Sequence, residues 1–222
     1  YAGGDKLYLP MNQISTLEKY IGPEGTTPVL SKMGGAQWDR VKSKAGKSIR
    51  ELAERLLKVY AEREITPGIA FDKDNIMQRE FEDSFPYIET PDQLTAIQKI
   101  KEAMEKPQPM DMLLCGDVGF GKTEVAMRAV FKCVVSGYQA MVLVPTTVLS
   151  QQHYKNFVKR MEPFGVRVAV LNRFVSAKEK RVILQKLAAG ELDVIIGTHA
   201  ILNKKIHCHK LGLLVVDEEQ RF

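Results

Sequence analysis

Beyond residue 89, apolar runs recur at 112–115, 140–144, 166–171, 194–196 and 213–216, and most are separated by segments long enough for a helix. Short apolar runs bounded by turn residues read as strands buried on both faces, and their alternation with helices predicts a parallel sheet covered on both sides. Upstream the period changes. Ser48-Ile49-Arg50-Glu51 has the form of a capping box, and Ile49, Leu52, Ala53, Leu56, Leu57 and Tyr60 follow at helical spacing, predicting a helix over 48–64 that Thr66-Pro67-Gly68 stops. A shorter helix is expected over 75–81, with Pro86 marking entry into the next unit. Gly22-Pro23, Gly25, Gly34-Gly35 and Gly46 predict a linker across 22–47 anchored by Trp38. Near the start, Gly3-Gly4-Asp5 and then Lys6-Leu7-Tyr8-Leu9-Pro10 predict a turn and a strand, followed by a short helical run through Ile14, Leu17 and Tyr20. One strand cannot bury itself, so this stretch either decorates the main domain or ends a small β domain. The expected division is 1–22, 23–88 and 89–222.

The turn after the run at 112–115 reads Gly116-Asp117-Val118-Gly119-Phe120-Gly121-Lys122-Thr123, a complete G-x-x-x-x-G-K-[ST] phosphate loop. Glycines permit positive φ and leave no Cβ in the way, so successive backbone N–H groups can converge on a phosphate. The helix opening at Lys122, Thr123 and Glu124 adds its positive end. Lys122 supplies a mobile charge for the β- and γ-phosphates, and the Thr123 hydroxyl suits the magnesium ion that bridges them. A glycine-rich turn alone would be a steric device, but the expected strand before it and helix after it supply the context of a nucleoside-triphosphate site.

Hydrolysis needs acids as well. The run Leu213-Leu214-Val215-Val216 ends in Asp217-Glu218-Glu219-Gln220, where Asp217 would hold the magnesium ion and Glu218 would deprotonate the attacking water. An acidic helix start after a core strand is the plainer alternative. Ahead of the loop lie Phe85-Pro86-Tyr87 and Thr90-Pro91-Asp92-Gln93. Thr90 as N-cap with Gln93 at N3 makes a capping box. A glutamine amide also matches the N6/N7 edge of adenine, with Tyr87 or Phe85 stacking on the ring. Both readings stand on spacing alone.

Composition changes this picture little. The chain has 222 residues, 45% hydrophobic and 27% charged, enough for one α/β domain and something smaller. No apolar run approaches the roughly 18 residues of a membrane span, and the first residues do not read as a signal peptide, so a cytoplasmic location and no membrane partner are expected. The net charge of +5 is compatible with a phosphate-backbone partner, although most basic residues are interleaved with acids. Cys115, Cys133 and Cys208 show no paired spacing, and His207-Cys208-His209 places neighbours on opposite sides of an extended chain, which disfavours a metal cluster.

With these motifs in order, the chain resembles the first motor domain of superfamily-2 helicases and translocases, and within them the family of bacterial transcription-repair coupling factors. The likeness rests on residues 116–126 (GDVGFGKTEVA), on Val144-Pro145-Thr146-Thr147-Val148-Leu149 with Gln151-Gln152-His153, on Arg173-Phe174, on Gly197-Thr198-His199 and on DEEQRF at 217–222. It extends through the front half, over 1–10, LSKMGGAQW at 30–38 and Tyr60-Ala61-Glu62-Arg63. The resemblance implies a RecA-like P-loop NTPase fold, preceded by a helical linker and the tail of a small Tudor-like β domain that contacts RNA polymerase. It implies ATP and Mg2+ as cofactors and an ATP-driven translocase on double-stranded DNA that displaces stalled RNA polymerase, through its β subunit, and recruits excision-repair proteins. The DNA strand would be gripped by its phosphates at Pro145, Thr146, Thr147 and Gln151, at Arg173 and Phe174, and at Gly197, Thr198 and His199. Small hydroxyls, helix-start amides and one Arg bind phosphate without reading sequence, as a motor requires. Taken singly, Pro145-Thr146-Thr147 is an ordinary helix entry, His199 a structural histidine and Phe174 a core residue.

In that family the motor is completed by a second domain and an arginine finger, so this chain alone is expected to bind nucleotide with negligible turnover. A RecG-type branched-DNA helicase shares the phosphate loop and QQH segment but would carry a different front half. A GTPase would show an Asn-Lys-x-Asp base reader, and a polymerase-binding adaptor would leave Lys122, Thr123, Asp217 and Glu218 unexplained.

Overall fold

The computed structural model describes Gly4 and residues 6–17, 36–204 and 206–222, excepting the side chains of Gln37 and Trp38. It divides into two compact units, Tyr1–Arg63 and Glu64–Phe222. The first holds a 3-10 turn over Met11–Thr16 and all but the last two residues of a long helix, α1, over Ala36–Ile65. Residues 6–10 are not in a strand, so among the described residues the expected Tudor-like tail is not confirmed. Helix α1 begins at Ala36 rather than at Ser48, taking in part of the expected linker. Ala, Arg, Lys and Gln dominate that stretch, and their helix preference outweighs the cost of Gly46, about 1 kcal/mol. Tyr20 and residues 18–35 lie outside the described residues, as does the Trp38 side chain.

The second unit holds α2 (Ile76–Asp83), α3 (Pro91–Met104), α4 (Lys122–Val135), β1 (Gln139–Leu143), α5 (Thr147–Met161), β2 (Val168–Leu171), α6 (Ala177–Ala188), β3 (Val194–Gly197) and β4 (Leu211–Val216). The four strands form one parallel sheet in the order β2-β3-β1-β4. The alternation of side chains along a strand separates two cores. Ala140, Val142, Val194, Ile196 and Leu213 pack on one face with Phe81, Ile97, Val130, Phe131, Phe157 and Met161 from α2 to α5. Met141, Leu143, Ala169, Leu171 and Ile195 pack on the other with Leu187, Ile183 and Leu184 of α6. The α/β fold with helices on both faces is thus as the periodicity predicts.

One predicted strand is absent. Residues 112–115 have no ladder assignment, with Met112 43% and Leu113 67% exposed. A strand exists through its neighbour's hydrogen bonds. Among the described residues β4 pairs only with β1, and Leu211, Leu214 and Val216 along it are partly exposed. The apolar run before the phosphate loop therefore has no adjacent strand here.

Helix α4 is tied to its surroundings by buried ions. Lys132, 1% exposed, donates to Asp74 and Glu105 (both 2.8 Å) and to the Asp72 carbonyl (2.7 Å). Lys101 reaches Asp74 and Glu82. Arg128, 3% exposed, pairs with Glu124 and with Glu89.

Candidate active site

The phosphate loop leads into α4 through Gly121, the N-cap, at φ 73° in the left-handed region. Only glycine adopts this without strain. A Cβ there would also stand 2.3 Å from Gln93 Nε2, because the Gln93 side chain lies against the loop. The capping box at the start of α3 is formed. Gln93 Oε1 accepts from the Thr90 N–H (2.9 Å), and Thr90 Oγ1 accepts from the Gln93 N–H (3.2 Å). Gln93 Nε2 then donates to the Phe120 carbonyl (3.0 Å), so one amide closes the helix start and pins the loop.

Lys122 Nζ folds back on its own loop, donating to the carbonyls of Gly116 and Asp117 (2.9 Å to the latter). Val118 is 92% and Phe120 62% exposed, and Thr123 sits half-buried in the first turn of α4. The Glu124 carboxylate is buried between Arg128 Nε (3.1 Å) and Arg160 Nη2 (2.8 Å).

The two aromatic candidates differ. Phe85 is half-buried, with the Arg128 and Arg160 guanidinium carbons 5.4 and 5.7 Å from its ring centroid. Tyr87 meets Phe85 edge-on at 5.5 Å and is 74% exposed.

Asp217 follows β4, its N–H bonded to the Leu143 carbonyl (2.9 Å). Its carboxyl is held below the usual aspartate range, chiefly by the hydrogen bond from His153 Nε2 (2.8 Å). Partial burial opposes this, while the charge of His153, the Glu218 N–H and the charge of Lys122 assist. Asp217 thus stands at the carboxyl edge of the sheet, level with the end of β1. Glu218 has φ 54°, uncommon for a residue with a Cβ, and its carboxylate accepts from Gln220 Nε2 (2.6 Å).

A magnesium ion asks for ionised or hydroxyl oxygens and keeps waters and phosphates as its other ligands. The ionised Asp217 carboxylate and the Thr123 hydroxyl fit that demand. Among the described residues no group of three or more His, Cys, Asp or Glu could hold a metal by itself.

The candidate DNA segments share this edge. Leu171, Gly197, Leu143 and Val216 stand level across the sheet. Pro145, Thr146, Thr147 and Gln151 follow β1, with Thr146 capping α5 by accepting from the Leu149 N–H (3.2 Å). Arg173 and Phe174 follow β2; Phe174 is 65% exposed beneath the Arg173 guanidinium, not a core residue. Gly197, Thr198 and His199 follow β3. Gly197 is needed by packing, since a Cβ would meet Leu171 O at 2.5 Å; Thr198 is buried and His199 exposed.

Sequence reasoning missed the polar residues behind that edge. Asn172 Nδ2 donates to Ser150 Oγ (2.9 Å), Ser150 Oγ donates to the Thr147 carbonyl (2.7 Å), and the Phe174 N–H donates to Asn172 Oδ1 (2.9 Å). His153 and Arg160 were likewise given no role. The signal was present: Ser150, His153, Phe157 and Met161 follow the inward spacing of α5, so two polar side chains stand in core positions.

The chain is similar to proteins of known name and structure. The chain is 51% identical over its whole length to the transcription-repair-coupling factor of Bacillus subtilis (strain 168) and 49% identical to that of Borreliella burgdorferi, spanning 19% and 20% of those proteins. The structure of RecG bound to a three-way DNA junction matches 74% of this chain and 23% of its own, with a TM-score of 0.70 and 39% identity. The DEAD/DEAH box helicase family matches residues 90–222. With the phosphate loop, the acid pair and the level strand ends all inside that span, the chain belongs to the DEAD/DEAH box helicase family.

Proposed function

We propose that this chain is the nucleotide-binding half of the motor of an ATP-driven, double-stranded-DNA translocase that couples transcription to repair by displacing stalled RNA polymerase and recruiting excision-repair proteins. The name of its relatives, transcription-repair-coupling factor, supports a setting in transcription and repair; the proposal places the protein in the cytoplasm, with polymerase and repair partners bound largely through other parts of it. The observation that carries the motor reading is the placement of Asp217 at the sheet edge where β1, β2 and β3 also end, in one unit with the complete phosphate loop that opens α4.

On binding, the triphosphate replaces the carbonyls of Gly116 and Asp117 as the partner of Lys122, while loop amides from Asp117 to Thr123 cradle its oxygens. Thr123 and Asp217 would hold magnesium, which would supply neutralisation of the charge on the phosphoryl group. Glu218, released from Gln220, orients and deprotonates water. Glu124 braces the loop's helix from within. Tyr87 stacks on adenine, Phe85 supports Tyr87, and Gln93 reads the base edge from its rigid cap. Thr146, Thr147, Gln151, Arg173 and His199, with the backbone at Pro145, Gly197 and Thr198 and the ring of Phe174, grip phosphates and sugars of one strand.

In the intact protein, Lys122→Ala is expected to abolish nucleotide binding. Glu218→Gln should keep it while lowering turnover by about 10² or more. Fluorescent-nucleotide titration beside a DNA-stimulated ATPase assay separates the two, and retained hydrolysis in Glu218→Gln removes the assigned base. The isolated chain should bind nucleotide with negligible turnover. The likeness to RecG favours one second reading, a branched-DNA helicase. Preference for junction unwinding over movement on unbranched duplex would select it.

A further inference from the structure

Helix α5 buries its histidine in a place where an apolar side chain would cost less. His153 is 8% exposed, in line with Ser150, Phe157 and Met161 on the inward side. A buried imidazole is unfavourable unless its nitrogens find partners. Only one does. Nε2 lies 2.8 Å from Asp217 Oδ2, whereas Nδ1 is buried with no partner among the described residues. An ionised carboxylate only accepts, so Nε2 carries the hydrogen and donates it. Leucine or methionine would fill the space without an orphan nitrogen; what histidine adds is the bond to Asp217.

The surroundings fix the direction of that bond. Phe157 meets the imidazole edge-on at 6.2 Å, and the Asp217 backbone is anchored to Leu143. The same bond is the largest influence keeping the Asp217 carboxyl ionised. Polar links that hold α5 to its neighbours include Ser150 to Asn172, His153 to Asp217, and Arg160 to Glu124 at the start of α4 and to Ser84 and the Phe81 carbonyl.

Resting on the reading of Asp217 as a magnesium ligand, we propose that His153 is a positioning residue that holds the Asp217 carboxylate in its metal-binding orientation, joining the helix that opens at the DNA-facing edge to the metal site. Partners that orient metal ligands are commonly worth about tenfold or more in metal affinity.

The test uses the intact protein and its His153→Leu, His153→Gln and Asp217→Asn variants. Leucine keeps the packing and removes the bond; glutamine returns an amide donor near the Nε2 position. Mn2+ binding to the protein–nucleotide complex, read by electron paramagnetic resonance, should weaken about tenfold in His153→Leu. The Mg2+ concentration for half-maximal turnover should rise in proportion, nucleotide binding in EDTA should stay unchanged, and His153→Gln should recover most of the loss. Wild-type Mn2+ affinity in His153→Leu, or no recovery in His153→Gln, overturns the proposal. If leucine prevents folding, His153→Asn, too short to reach Asp217, should show the same metal defect, and its absence is equally fatal. Full metal affinity in Asp217→Asn would instead sink the magnesium role of Asp217 itself, whereas a defect there with none in His153→Leu removes only His153.

Discussion

Residues that look interchangeable on paper are separated by what touches them. Phe85 and Tyr87 are aromatic and nearly adjacent, yet Phe85 lies under two guanidinium groups while Tyr87 keeps 74% of its surface open. Tyr87→Ala should therefore erode discrimination of ATP from GTP and leave the melting temperature within error. Phe85→Ala should lower stability by about 1–3 kcal/mol, by lost burial and cation–π contact. Nucleotide competition and thermal melts of the two variants check this, and equal discrimination in wild type and Tyr87→Ala would remove Tyr87 from the base site. Gly121 is bound by two independent constraints, its left-handed φ and the Gln93 amide a Cβ would strike. Gly121→Ala should thus disturb both the loop and the capping box of α3, costing about 1–2 kcal/mol from backbone handedness alone.

Among the elements, α4 depends most on charges placed out of water. The Asp74 carboxyl is pushed up by burial, but hydrogen bonds and charges from Lys101 and Lys132 outweigh this and hold it below its ordinary range. Burial lowers the Lys132 ammonium, but Asp74 and Glu105 outweigh that and raise it. A depressed aspartate adds stability above its unfolded value, about 3.9, and loses it as pH falls through the folded value; a raised lysine adds stability below about 10.4 and loses it as pH rises through the folded value. Lys132→Met should cost about 3 kcal/mol near neutral pH, because Asp74 and Glu105 lose a cation. Urea unfolding should show that difference shrinking as pH falls below about 4 and as it rises past about 10.4, and a pH-independent difference would refute the ionic account. Elements also differ in protection. The amides at 112–115 belong to no ladder, unlike those of Met141 and Val142 in β1, so hydrogen exchange should be far faster at Met112 and Leu113.

At the scale of the whole molecule, the second unit is a sheet whose level carboxyl ends gather loops from distant parts of the chain. Much of this was legible beforehand. Short continuous apolar runs located all four observed strands, capping chemistry located the start of α3, and the phosphate loop and the acid pair are motifs of residue type and spacing, because these are local properties of a chain. What only the folded structure decided was which local pattern found a neighbour. The run at 112–115 has strand composition but no adjacent edge, and residues 36–47 carry glycine yet join α1. His153 and Asn172 gained their importance from partners 64 and 22 residues away in Asp217 and Ser150. Periodicity reports what a segment would prefer in isolation, whereas hydrogen-bond partners, burial and the charge felt by a carboxyl are set by segments far off in the chain, and these appear only once the sheet has brought its strand ends together.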